Sequence, residues 1–191
     1  MARRGLDAEI VVETAEGLVD ADGWTNLTMT ALAKELGVRT PSLYSHVASI
    51  EEVLAALQGR TLRALGERLQ HAAMGTTGAA GFRAMAQALR EFAGEHPGAY
   101  ELAMTEPIDR DAVLVASTAA FDALTAMIRS FGVDEVTPEL LFSCVAQLHG
   151  VLALDRSGLF RSASLDMDQA YASATESVVH LLEEAGGGAR R

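Results

Sequence analysis

The 191-residue chain holds a single cysteine and only four prolines. One thiol, Cys144, excludes an internal disulfide framework and a cysteine cage for a metal, and it suits a reducing compartment. Basic residues are also scarce, 15 Lys and Arg against 26 Asp and Glu, for a formal net charge of −11. General adhesion to nucleic acid or to an anionic membrane needs the opposite sign, so any binding to an anion must be local. Long apolar runs are missing as well: no stretch approaches 18 residues. The opening "MARRGLDAEIVVETAEGL" meets Asp7, Glu9 and Glu13 before such a run can build. Neither a signal peptide nor a membrane span is expected, and the chain is expected to be cytoplasmic. Arg3 and Arg4 read as a free terminus rather than an arm for the minor groove. Catalytic signatures are absent too: no phosphate loop, no G-x-S-x-G, no H-E-x-x-H and no paired cysteines. No enzyme, cofactor or metal is therefore expected, and Cys144 within "LLFSCVAQL" reads as a buried, inert thiol.

What the chain does have is a 49% hydrophobic composition with apolar residues recurring at three and four, and no convincing period-two run. The fold expected is all-α. A first helix is read over residues 6 to 19, with Ile10, Val11, Ala15, Leu18 and Val19 inward. Thr28 is placed to cap a short helix that Gly37 stops. Thr40 is placed to cap the next, with Pro41 at its first position, where a missing N–H costs nothing. A long helix follows from about Ser49 to His71. "GTTGAAG" at 75–81 punctuates the chain, and about five further helices are separated at His96-Pro97, Glu106-Pro107, Gly132 to Pro138 and Arg156 to Asp166. Asp109, Thr137 and Asp166 or Asp168 stand where caps belong, and the C-terminal "AGGGARR" reads as a frayed tail.

Within "LAKELGVRTPSLYSHV", residues 32 to 47, Ala33, Gly37, Leu43 and Val47 have the spacing of a helix-turn-helix: a small residue at a close crossing, a glycine in the turn, and apolar residues docking the second helix. Leu32, Leu36 and Val38 complete that small core. The second helix then turns Thr40, Ser42, Tyr44, Ser45 and His46 outward, and in this motif it lies in the major groove. The same spacing occurs in all-α proteins that never touch DNA. A helical ligand-binding or adaptor protein is the alternative reading.

Residues 22 to 57, and "LTMTALAKELGV" followed by "PSLYSHV" in particular, resemble the DNA-binding domain of the TetR (tetracycline-repressor) family of bacterial transcriptional regulators. "HPGAYELAM" and "LHGVLALDRSGLF" are similar to a C-terminal domain found in some of them. The resemblance implies a three-helix helix-turn-helix domain, assigned to residues 1–48. A helical effector-binding and dimerisation domain follows, assigned to 49–191. It also implies a homodimer on a double-stranded operator, most simply a ligand-released repressor. Arg39, Thr40, Pro41 and Ser42 are implied to face bases, and Thr28, Tyr44 and His46 to hold phosphates, with Thr30 and Ser45 beside them. Two departures are visible. Ile50 stands where many members place a lysine, and residues 1 to 50 carry four basic against seven acidic side chains, a balance of −3.

The later helices offer an apolar, thioether-rich and aromatic set suited to a small organic effector: Met85, Leu89, Phe92, Tyr100, Met104, Phe121, Leu124 and Phe142, with Gln147 and His149 as polar groups. His149 reads either as a ligand contact or as a satisfied core residue. The last two long helices are apolar beyond one stripe. Leu141, Val145, Leu148 and Leu152 on one, with Met167, Tyr171, Ala174, Val178 and Leu181 on the other, are expected to form a two-fold, four-helix interface.

Overall fold

A computed structural model describes residues 6–159 and 165–188; Arg3, Arg4 and the end of the "AGGGARR" tail lie outside them. Among the described residues the chain is helical throughout. The helices are α1 (Ala8–Asp22), α2 (Met29–Glu35), α3 (Thr40–Leu43), α4 (Ile50–Ala73), α5 (Gly78–Glu95), α6 (Pro97–Ala103), α7 (Arg110–Arg129), α8 (Pro138–Ser157) and α9 (Met167–Gly188), with a short 3-10 turn at Trp24–Asn26.

Four of the expected caps are in place. Thr28 accepts from the Ala31 N–H at 3.1 Å, Asp109 from Ala112 at 3.0 Å, Thr137 from Leu140 at 3.3 Å, and Asp166 from Gln169 at 3.0 Å. Helix α1 starts at Asp7, whose carboxylate accepts from Ile10, and runs three residues beyond the expected end to stop at Gly23.

The helices gather into two compact units, residues 1–65 with 92–118, and residues 66–91 with 119–191. The division falls inside α4, α5 and α7 rather than at 48/49. A 24-residue helix such as α4 extends for ~36 Å, longer than one small core can cover.

In the first unit Val11, Ala15 and Val19 of α1 meet Leu32, Leu43, Val53 and Leu57 in a fully buried cluster, joined by Ala99 and Leu102 of α6. Helix α6 reaches α1 because residue 98 is glycine: a Cβ there would lie 2.0 Å from the Val19 carbonyl oxygen. The Asp20 carboxylate caps the same helix, accepting from the Gly98 and Ala99 N–H groups at 2.7 and 2.9 Å. At the other end of α6, the fully buried Gln58 of α4 donates to the Leu102 carbonyl at 3.1 Å and accepts from the Ile108 N–H at 3.1 Å.

In the second unit α8 packs on α9; Cys144, Leu148 and Leu152 of α8 and Tyr171, Val178 and Leu182 of α9 are buried. Tyr171 donates its hydroxyl to the Ala86 carbonyl at 2.7 Å, and Arg83 of α5 grips Glu176 of α9 at 2.6 and 2.7 Å. Gly186, expected in a frayed tail, is instead buried in α9; a Cβ there would lie 2.0 Å from the Phe131 carbonyl oxygen. Helix α7 holds an 18-residue window apolar enough by length and composition to cross a bilayer, although Asp122 interrupts it.

Candidate nucleic-acid interface

The helix-turn-helix is set by local chemistry. Helix α2 ends where Gly37 adopts φ 66°, a conformation that a Cβ would strain. The Gly37 and Val38 N–H groups close back on Lys34 and Ala33 at 3.2 and 2.9 Å. Ala33, Leu43 and Val47 are buried, and Leu36 and Val38 half-buried, as the spacing requires. One cap moves by a residue. Arg39, in extended conformation, precedes the helix and makes no side-chain cap, while Thr40 is the first residue of α3 and Pro41 the second. Proline remains tolerated there, because no N–H in the first turn has an intrahelical acceptor. Helix α3 is short, and turns carry its axis onward through the His46 and Val47 N–H groups, which donate to Leu43 at 2.8 and 3.0 Å.

All nine candidate DNA contacts are accessible. Thr28, Thr30, Arg39, Pro41, Ser42, Tyr44 and Ser45 are exposed, and Thr40 and His46 half-buried. Their hydrogen-bonding capacity differs. The Ser45 hydroxyl donates to the Ser42 carbonyl at 2.7 Å and so offers a partner only its lone pairs. The Thr28 oxygen is engaged as the α2 cap, which leaves its proton to give. Tyr44 stands 56% exposed, and its phenol can donate to an anion.

Sequence reasoning placed the start of α4 near Ser49 but passed over its cap. There Ser49 Oγ accepts from the Glu52 N–H at 3.2 Å, and Glu52 reaches back to the Ala48 N–H at 2.5 Å, a variant of the capping box legible in "SIEE". Hydrogen bonds from its own backbone N–H and from Ser49 hold the Glu51 carboxyl below its ordinary range. Ile50 packs onto the helix-turn-helix core instead of reaching outward. The helix end where a lysine was expected is thus satisfied by the chain's own acids.

The proposed effector set is not gathered into one observed cavity. Met85 and Leu89 are buried in the second unit, with Leu124, Gln147 and His149 half-buried; Phe92 and Tyr100 are buried in the first unit. Met104, Phe121 and Phe142 face outward, at 43%, 47% and 72% exposure, contrary to a role in an enclosed lining. Helices apolar on several sides do not reveal from sequence which side turns in. A groove of about 420 Å³ does lie in the second unit, lined by Gln70, Met74, Asp122, Ala126, Met127 and their neighbours, and none of the ten expected residues borders it. Burial drives the His149 imidazole down to about 4, so it is neutral at pH 7, and pushes the Cys144 thiol up to about 11.

Of the proposed interface residues, Leu148, Leu152, Tyr171 and Val178 are buried inside the subunit, and Tyr171 is tied to α5 through the Ala86 carbonyl. Leu141, Val145, Met167, Ala174 and Leu181 remain partly open.

Comparison with known proteins places these features in a family. Residues 11–57 match the family described as bacterial regulatory proteins, tetR family, and residues 82–178 match the tetracyclin repressor-like C-terminal domain. An uncharacterized HTH-type transcriptional regulator of Mycobacterium tuberculosis, Rv0681, is 31% identical over 164 residues, spanning 84% of this chain and 75% of the relative. A second such regulator, YobS of Bacillus subtilis, is 31% identical over 113 residues, 59% of each chain. Among solved structures, a Rhodococcus protein of unknown function superposes with a TM-score of 0.77 at 21% identity, covering 95% of this chain and 98% of that one. ActR of Streptomyces coelicolor, a TetR family protein solved in complex with actinorhodin, superposes with a TM-score of 0.66 at 21% identity, covering 96% and 100%.

Proposed function

This chain belongs to the TetR family of DNA-binding transcriptional regulators, and from that premise we propose that it is a homodimeric cytoplasmic repressor, released from a palindromic operator by a small, mostly apolar organic ligand. The observation that carries the DNA half is the set of accessible side chains between Arg39 and His46, on α3 and its flanking turns, whose opposite side, Leu43 and Val47, is buried in a well-packed core. Arg39 and Ser42 are assigned to base edges, and Thr28, Tyr44 and His46 to phosphates. With few cations, the domain leans on neutral donors, so its salt dependence should be shallow for a repressor.

For assembly, α8 supports the reading. It buries Cys144, Leu148 and Leu152 inside the subunit yet leaves Phe142 and Leu154 exposed, and a helix apolar on two sides has a second face to cover. The interface is redrawn accordingly around Leu141, Phe142, Val145, Ala174 and Leu181. Two recognition helices related by a two-fold axis would then meet half-sites about 34–36 Å apart. The effector half is supported by ActR, which binds actinorhodin. Ligand acts by preferring a separation of the two recognition helices that DNA does not accept. Selection from a randomised duplex library by the purified chain tests the proposal. Enrichment of an inverted repeat is the expected result, and an unenriched pool at low salt would defeat it.

A further inference from the structure

Glu16 and Asp20 stand one turn apart on α1, and His96, at the entrance to α6, faces both. The His96 Nδ1 lies 3.3 Å from Glu16 Oε1 and 3.7 Å from Asp20 Oδ2. One donor atom from each residue falls within 4.8 Å of the others, and all three residues are half-buried. Surrounding groups fix these side chains without occupying the converging atoms. Arg60 Nε holds Glu16 through the other oxygen, Oε2, at 3.2 Å. The Gly98 and Ala99 N–H groups hold Asp20 through Oδ1, leaving Oδ2. The His96 ring packs against Phe92, with centroids 4.8 Å apart. Outer partners that orient a ligand while leaving its inner atom free are what metal centres use. Donors bound at ~2.0–2.2 Å to a tetrahedral or octahedral ion stand about 3.0–3.5 Å apart, so small side-chain movements close the set around one. Two carboxylates against one guanidinium leave a formal −1 with the imidazole neutral, which favours a cation.

We propose that Glu16, Asp20 and His96 form a binding site for a first-row divalent transition-metal ion. One imidazole and two carboxylates, with remaining positions open to water, suit manganese, iron, cobalt, nickel or zinc better than the all-oxygen preference of calcium or magnesium. No ligand spacing announces the site in the sequence, because His96 is brought to α1 by the tertiary packing of α6 on it. An ion there would tie α1 of the helix-turn-helix domain to α6. The site does not depend on the regulator reading; its effect on operator binding does.

The test is a titration of the full-length chain with cobalt(II), followed by its visible absorption and by calorimetry. Glu16→Gln and His96→Gln run alongside, and circular dichroism checks that each variant folds. One ion per chain, with at least tenfold weaker binding in both variants, is expected. Absence of cobalt binding in the native chain, or equal binding in the Glu16→Gln variant, would overturn the proposal and leave the cluster as a contact between α1 and the entrance to α6. If the ion binds but operator affinity is the same with and without it, the site stands and its link to DNA fails. Loss of operator binding under every condition counts against the regulator reading alone.

Discussion

The packing around α1 to α4 and the packing of α8 on α9 solve different problems. In the first, the helices turn apolar sides into one shared core, and the outer side around α3 carries hydroxyls, a phenol, an imidazole and a guanidinium. In the second, α8 buries one apolar side and exposes another, with Phe142 at 72% exposure and Leu154 at 44%. A surface of neutral hydrogen-bonding groups suits a partner that presents phosphates and base edges, whereas an apolar surface suits a second apolar surface. The same chain therefore presents two accessible surfaces whose chemistries do not compete.

The sharpest way to break the comparison uses one substitution in both regions. Gly98→Ala puts a Cβ 2.0 Å from the Val19 carbonyl oxygen, and with backbone on both sides neither helix can yield cheaply. We expect destabilisation of about 3 kcal/mol or more, read as a lower urea midpoint. Gly150→Ala on α8 meets nothing within 4 Å and should be neutral or stabilising by up to ~1 kcal/mol. Equal effects at the two positions would erase the distinction.

Next in size is the acid response of α8. Burial depresses the His149 pKa from 6.5 to about 4. The unfolded chain therefore takes up a proton that the folded chain refuses. Stability is full above pH 6.5, falls as pH drops below that value, and the loss is complete near pH 4, up to about 3 kcal/mol in size. Replacing it, as His149→Gln, should flatten the denaturation midpoint across that window. An unchanged profile would show the ring to be wetter than its packing suggests.

Phe142→Asp examines the exposed side of α8. It should weaken self-association about 100-fold, a cost of ~2.7 kcal/mol, without lowering the stability of the single subunit. Sedimentation at several concentrations measures the first and denaturation the second. Loss of subunit stability would mean the ring is already packed within its own chain. The smallest effects belong to the recognition row. Ser42→Ala should shift preference between operator variants by about 1 kcal/mol, and Tyr44→Phe should weaken all of them alike. Competition gel shifts across single-base operator changes separate the two patterns.

The sequence by itself determined the parts governed by neighbours along the chain. Thr28, Asp109, Thr137 and Asp166 cap helices because a side-chain oxygen three residues ahead of an orphan N–H satisfies it wherever the chain is, and Gly37 ends α2 because its φ of 66° suits glycine. The accessible face of α3 followed from the same local geometry, since Leu43 and Val47 can point only one way once the turn is fixed. Only the tertiary structure decided the rest. Whether Phe142 or Leu148 of α8 turns inward depends on which side α9 covers, and a helix apolar all round carries no local signal for that choice. Gly98 and Gly186 look like any helical or terminal glycine until another backbone arrives at 2.0 Å from the missing Cβ. His96 meets Glu16 and Asp20 through that same long-range approach, which no periodicity of either segment encodes.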